Sequence, residues 1–213
     1  MTLWETAASK WKAVTTLSVL LLFVAGVPAY AASADNASGF VADLANRAIQ
    51  IMREGDRSAV DRQQRFGGLM NEDFDLPKIA RTVLGRYWRG TSDNDREAFT
   101  IAFAEYMSRM YSERFADYSA DTFRVTEQRA DGAGTTLVSS VITRAATGQP
   151  VNVDWSVTQT ADGYKVTDIG AGGVSLSQAL REEFSSVIRQ GGGVAFLTLQ
   201  LRTKVHELAS SVP

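Results

Sequence analysis

The sequence predicts an α+β domain in which helices cover one face of a four-stranded antiparallel meander. Three observations predict this class. Apolar residues recur at helical spacing up to about residue 118, then alternate with polar residues between about 123 and 169. Helical spacing returns from about residue 176 to 208. A sheet with one apolar face needs a cover, and the flanking helices can supply it.

The N-terminus has the pattern of a secretory signal peptide. Lys10 and Lys12 precede the mostly apolar run Ala13–Val27, and Ala29-Tyr30-Ala31 forms a small-x-small cleavage site. The apolar run is shorter than the roughly 18 to 20 residues that span a bilayer, although an uncleaved membrane anchor is the alternative. We therefore expect residues 1–31 to be a signal peptide that directs export.

Residues 32–213 are then the mature chain, long enough for a single domain with a sizeable core. Without Lys10, Lys12 and Glu5 it carries 20 basic (22 − 2) and 23 acidic (24 − 1) residues, a net charge of −3. This balance argues against a general nucleic-acid binder, which would carry a basic patch. The chain has no Cys, so disulfides and thiolate chemistry are excluded and packing must hold the domain together.

Four helices are predicted before the sheet. The first three span about Phe40–Met52, Arg57–Asn71 and Leu76–Trp88, each with apolar residues on one face. Ser92 is a good N-cap for the fourth, which reaches about Tyr118. The third and fourth helices carry an aromatic cluster, which predicts that they form much of the cover over the sheet: Tyr87, Trp88, Phe99, Phe103, Tyr106 and Tyr111.

The alternating segment then predicts four strands, and two more helices follow. The strands span about 123–127, 135–143, 151–158 and 164–169, and the helices span about 176–188 and 194–208. Gly191-Gly192-Gly193 is interpreted as the turn between those helices. The result is an NTF2-like cone, whose interior is either filled by side chains or left open as a cavity.

Few residues suit catalysis. The single His, His206, lies near the C-terminus, and no Gly-x-Ser-x-Gly elbow or metal-ligand spacing is present, so we expect no metal site. Asp154 is in the polar register of its strand, whereas Asp168 is in the register of Tyr164 and can face inward. Two alternatives therefore stay open: a small-molecule enzyme with Asp168 as base, and a scaffold or chaperone module with a filled core.

Five segments, in order, resemble the motifs of one known family. They are Phe74–Arg89, Phe99–Tyr111, Val153–Ile169, Gly173–Ile188 and Gly191–Lys204. The first resembles "FDhxxhaxxhLGxxW", where h is apolar, and the fourth resembles "GvSLvxnYRxxFxxii". These motifs are those of the MlaC family of periplasmic phospholipid-binding proteins, also known as toluene-tolerance auxiliary components, which the sequence therefore resembles. The glycine run and Arg89 also resemble its hopanoid-associated HpnM subgroup.

The resemblance implies a periplasmic lipid carrier rather than an enzyme, with no cofactor. Such a protein exchanges phospholipid between an outer-membrane lipoprotein complex and an inner-membrane ABC transporter with an MCE-domain subunit, which supports outer-membrane lipid asymmetry. A hopanoid or another isoprenoid lipid is the alternative cargo. We also expect Arg86 and Arg89 to lie at the rim of the cavity, where they would meet the lipid head group or a partner protein. We expect the cavity to be lined by Leu84, Tyr87, Trp88, Phe103, Tyr106, Met107, Val153, Trp155 and Val166.

Overall fold

The computed structural model describes residues 30–53, 58–115, 122–143 and 147–210. The predicted α+β class is confirmed: the described residues form six α-helices and one antiparallel sheet. Nearly all of the predicted signal peptide lies outside the described residues, so that expectation stays a prediction. Among the residues described, no helix combines the length and apolarity that crossing a membrane requires.

The helices follow the predicted order. They are α1 (Tyr30–Arg53), α2 (Ala59–Asp73), α3 (Leu76–Leu84), α4 (Asp93–Phe115), α5 (Leu176–Gly191) and α6 (Val194–Ser210). Side-chain oxygens of Ser58, Asp75 and Ser175 cap α2, α3 and α5 by accepting a hydrogen bond from a backbone N–H of the first turn. These caps fix where each helix begins.

The sheet contains the predicted meander and one further strand. Its strands are β1 (Thr122–Ala130), β2 (Thr135–Thr143), β3 (Pro150–Thr160), β4 (Gly163–Ala171) and β5 (Val174–Ser175), paired in sequence order. The alternation in β3 buries Val153, Trp155 and Val157, as the sequence predicts. The two-residue β5 was not expected, because two residues are too few to show an alternating pattern.

The third predicted helix ends earlier than expected. Its α-helical part stops at Leu84, and residues Gly85–Gly90 form a 3₁₀ helix instead. Gly85 causes the break, because its φ of 53° and ψ of −121° lie outside the α region. Tyr87 and Trp88 therefore leave the face that buries Leu84, and both are half-buried.

All six helices and the sheet contribute buried side chains to the core. At its centre the rings of Phe99 and Phe103 stack with their centroids 5.7 Å apart, and each meets Phe184 of α5 edge-on at 6.2 Å. Helix α1 packs against β1 and α2, and α6 packs against α4. This arrangement leaves space between the helices and the sheet.

Candidate functional site

A cavity of about 440 Å³ lies between the sheet and helices α2 to α5. This volume is within the roughly 300 to 1,000 Å³ that is typical of small-molecule sites. Its wall is almost entirely apolar. It consists of Phe66, Met70, Phe74, Leu76, Ile79, Phe103, Met107, Tyr111, Ile142, Val151, Val153, Trp155, Asp168, Ile169, Ala171, Val174, Ser175, Leu176, Ser177, Ala179 and Leu180.

The cavity reaches solvent at the β4–β5 turn and the start of α5. Three of its wall residues there, Ala171, Val174 and Ala179, are also exposed. Val174 is 61% exposed. The mouth of the cavity is therefore apolar, as an entrance for an apolar ligand has to be.

Most of the polar wall groups form one hydrogen-bonded cluster beside this mouth. The Ser175 hydroxyl donates to Asp168 Oδ2, and the backbone N–H of Ser177 donates to Asp168 Oδ1 at 3.1 Å. Ser175 Oγ also accepts from the backbone N–H of Gln178 at 3.1 Å, as the N-cap of α5. The Asp168 carboxylate thus stands at the positive end of a helix dipole with both oxygens bonded, which is typical of an anchor for the helix.

Trp155 has a fixed orientation in the floor of the cavity. Its Nε1–H donates to Ser140 Oγ at 2.9 Å, and the Ser140 hydroxyl donates to the Val153 carbonyl at 3.0 Å. The ring of Phe123 meets the indole edge-on at 6.1 Å. These contacts satisfy the buried indole N–H and leave its apolar ring facing the cavity.

Phe74 and Asp75 join the helices to the sheet. The backbone N–H of Asp75 donates to the Val166 carbonyl of β4 at 3.0 Å, and its carboxylate caps α3 by accepting from the Lys78 N–H at 3.1 Å. Phe74 forms a parallel bridge with Val166 and its ring lines the cavity. The Phe-Asp pair thus both begins α3 and supplies part of the wall.

A second, smaller apolar chamber of about 120 Å³ adjoins the cavity on the side of α1. Helix α1 contributes Leu44, Ala45, Ala48, Ile49 and Met52 to its wall, with Leu69 of α2 and Phe123 of β1. Five side chains line both spaces, so the two spaces are neighbours: Phe66, Phe74, Ile142, Trp155 and Ile169.

The structure brings four of the nine predicted lining residues to the cavity wall. These four are Phe103, Met107, Val153 and Trp155. The other five lie elsewhere: Leu84 and Val166 are fully buried in the packed core, and Tyr87, Trp88 and Tyr106 are half-buried outside the wall. That these five residues contact lipid stays a prediction, and their position outside the cavity wall does not support it.

Sequence reasoning missed several wall residues. Phe66 and Met70 are apolar positions of α2 that its helical spacing would have supported. Phe74 stands at the head of the motif that begins α3, but its position on the wall depends on the long-range bridge to Val166. The residues of β5 and the start of α5 line the cavity because the chain turns back there, which no local pattern indicates.

The predicted rim arginines lie beside the 3₁₀ helix and are exposed. Arg86 Nη2 donates to the Tyr87 hydroxyl at 3.0 Å, and its guanidinium lies 5.0 Å from the centre of the Tyr87 ring. The hydrogen bond from Arg86, together with a weaker one from Arg189 of α5, holds the pKa of Tyr87 below its usual value. Arg89 is exposed nearby, and neither Arg86 nor Arg89 lines the cavity.

The described residues hold no cluster of three or more His, Asp or Glu side chains suited to a metal ion. His206 is exposed on α6. The geometry that stands out is therefore a large apolar cavity with an apolar mouth, and the one carboxylate on its wall is bonded to a helix N-terminus.

Two comparisons bear on this geometry. The model of the family described as MlaC protein matches residues 42–203, about three quarters of the chain. A phospholipid-binding protein from Ralstonia solanacearum, solved in complex with a phospholipid, shares the fold with a TM-score of 0.70 at 22% sequence identity. That match covers 81% of this chain and 98% of the Ralstonia chain.

Proposed function

The chain belongs to the MlaC family, and we propose that it is a lipid carrier that holds phospholipid acyl chains in the cavity between its sheet and its helices. The observation that carries the proposal is the apolar space of about 440 Å³ that opens at an apolar mouth. The relative solved with a bound phospholipid has the same fold, which supports this assignment.

The energetics of transfer explain why a carrier needs such a cavity. Exposing two acyl chains of about 15 CH₂ groups each to water costs on the order of 24 kcal/mol, at about 0.8 kcal/mol per group. A carrier that crosses water must therefore enclose both chains. Exchange with a bilayer then requires only that cavity and bilayer be nearly equal in free energy, so neither a cofactor nor covalent chemistry is needed.

The cavity also represents a cost that an apolar ligand removes. The apolar side chains that line an unfilled space lack van der Waals partners on the side that faces it. Acyl chains would restore the missing contacts, whereas a small polar substrate would not.

We further propose that the mature domain, residues 32–213, works in the periplasm after removal of residues 1–31. There it would receive lipid from an outer-membrane lipoprotein complex and deliver it to an inner-membrane MCE-domain ABC transporter, or carry it in the opposite direction. Arg86 and Arg89 are proposed to meet phosphate groups at a head group or membrane partner, because the planar guanidinium binds phosphate through paired hydrogen bonds.

The first experiment identifies the cargo. The mature protein is purified from a Gram-negative periplasm without detergent, extracted with organic solvent and analysed by mass spectrometry. Near-stoichiometric phospholipid is the expected result, and a hopanoid would support the alternative cargo. A protein that carries no lipid and takes none from vesicles would contradict the carrier proposal and favour the enzyme alternative with Asp168 as base.

Met107 tests whether the cavity wall binds the lipid. Met107→Gln places an amide on the apolar wall, so we expect bound lipid to fall at least about fivefold, since burying an unpaired polar group against acyl chains costs about 1–3 kcal/mol. Met110→Gln is the matched control, because Met110 is half-buried on the same helix but does not line the cavity. Equal loss of lipid and of thermal stability in both variants would indicate a solid core instead.

The arginine rim is tested by charge reversal. Arg86→Glu with Arg89→Glu should slow lipid exchange with anionic vesicles or weaken binding to the membrane complexes, while the amount of co-purified lipid changes little. Arg124→Glu, at an exposed position on β1, is the control. Unchanged exchange and unchanged partner binding in the double variant would remove these arginines from the proposal.

A further inference from the structure

The small chamber beside α1 has no part in the proposed function so far. It is lined by apolar side chains, and it borders the large cavity across a shared layer of Phe66, Phe74, Ile142, Trp155 and Ile169. A water molecule inside an apolar space of this kind would find few polar partners. Hydrocarbon from the neighbouring large cavity suits such a lining better than water.

We propose that the small chamber receives the methyl end of an acyl chain that enters through the large cavity, and that its depth sets the chain length that the protein prefers. This inference rests on the proposed lipid-carrier function. It adds a specificity site that is built from α1, a helix that contributes nothing to the wall of the large cavity.

The shared layer contains one fixed side chain and others that have more freedom. Trp155 is held by its hydrogen bond to Ser140 and by the ring of Phe123. Ile142 and Ile169 are half-buried aliphatic side chains without polar anchors. Both isoleucines line both spaces, and side chains change rotamer far more readily than packed elements shift. The proposed passage of the acyl chain from one space to the other therefore lies at these two side chains.

Two alanines of α1 keep the small chamber open. Ala45 and Ala48 lie on the chamber-facing side of the helix with Leu44, Ile49 and Met52, at the spacing of one helical face. A larger side chain at Ala48 would project into the chamber in place of the hydrocarbon. Ala48 is half-buried, so the helix can accommodate the change more easily than at the buried Ala45.

The test is a competition between chain lengths. Delipidated protein is mixed with vesicles that contain equal amounts of phosphatidylglycerol with 14-carbon and 18-carbon chains, and the bound lipid is identified by mass spectrometry. In Ala48→Leu we expect the ratio of long to short chains to fall about fourfold for each CH₂ group that no longer fits, while total bound lipid stays near the wild-type amount. Ala42→Leu is the matched control, since Ala42 is half-buried on α1 and lines neither space.

Ile49→Ala gives the opposite test and remains available if Ala48→Leu does not fold. Ile49 lines only the small chamber, so its truncation should enlarge the chamber and raise the ratio of long to short chains. An unchanged ratio in every folded variant, with lipid still bound, would overturn this inference and leave the carrier proposal intact. Absence of lipid from the wild-type protein would overturn both.

Discussion

At the scale of single residues, Gly85 determines where the aromatic side chains of Tyr87 and Trp88 lie relative to the cavity. It ends α3 with a positive φ of 53°, and the chain continues as a 3₁₀ helix that turns Tyr87 and Trp88 away from the cavity. The apolar spacing from Leu76 to Trp88 fits one continuous helical face, so periodicity alone predicts the wrong end. The glycine itself was the available signal, because a glycine after an apolar helical run commonly marks a helix C-terminus.

We expect Gly85→Ala to lower the free energy of unfolding by about 1–2 kcal/mol. An alanine is strained at this φ, and its Cβ would lie 3.2 Å from Cδ of Arg181, whose Nε donates to the Thr82 carbonyl. Urea unfolding of the lipid-free protein measures the effect. Gly68→Ala is the control, since Gly68 is in α2 with nothing within 4 Å of the added Cβ, and it should stabilise the protein by about 0.5–1 kcal/mol. A stabilising Gly85→Ala would contradict this account.

The alternation in β3 shows what sequence can establish about individual wall residues. A period of two assigns Val153 and Trp155 to the inner face without any knowledge of the rest of the fold, and both line the cavity. Helical spacing likewise identified Phe103 and Met107. It did not separate them from Leu84, because a helical face touches both packed core and cavity, and only the tertiary arrangement distinguishes the two.

At the scale of elements, an ion pair connects α1 to the end of α2. Arg47 Nη2 donates to Asp73 Oδ2 at 2.8 Å, and Arg47 also meets Asp43 at 2.8 Å and Glu72 at 3.6 Å. Asp73 is only 5% exposed, so burial raises the pKa of its carboxyl group more than Arg47 lowers it. For the more exposed Arg47, burial lowers the pKa less than its three acidic neighbours raise it, which explains why both partners have raised pKa values.

This pKa shift predicts an unusual contribution of Asp73 to the pH dependence of stability. Because the pKa of Asp73 is higher in the folded protein than in the unfolded chain, the folded state binds more protons between the two values. The contribution of Asp73 is therefore fully present below the unfolded pKa, near 3.8, and is lost as the pH rises through the folded pKa. We expect the unfolding free energy of wild type, minus that of Asp73→Asn, to fall as the pH rises through this window.

Urea unfolding at closely spaced pH values between about 3 and 6 checks this expectation. Asp43→Asn serves as the control, since Asp43 is an exposed partner of the same arginine. A difference between wild type and Asp73→Asn that rises with pH would mean that the ion pair outweighs burial. Sequence did not indicate this connection, because Arg47 and Asp73 are 26 residues apart and belong to different helices.

At the scale of the whole molecule, the fold was more predictable than the cavity. The change from helical spacing to alternation and back established the α+β class and the order of the elements. The cavity depends on how far the helices stand from the sheet, which is set by contacts such as the bridge between Phe74 and Val166. The same apolar residues would suit a filled cone, so a pattern of apolar positions does not give the volume between them.

If acyl chains fill the cavity as proposed, the stability of the whole domain depends on the bound lipid. A ligand that binds only the folded state stabilises it by about 2.7 kcal/mol at a free concentration 100 times its dissociation constant. For a domain of this size each kcal/mol shifts the melting temperature by about 2–4 °C. We therefore expect the delipidated protein to melt about 5–10 °C below the protein with phospholipid, as measured by calorimetry.

The control separates filling of the cavity from adsorption to the protein surface. A water-soluble glycerophosphate head group without acyl chains should leave the melting temperature of the delipidated protein unchanged, whereas phosphatidylglycerol vesicles should restore it. Met107→Gln should reduce the restoration and Met110→Gln should not, because only Met107 lines the cavity. If lipid-free and lipid-bound protein melted at the same temperature, the space between sheet and helices would not be where the acyl chains lie, and the stabilising role assigned to them would be wrong.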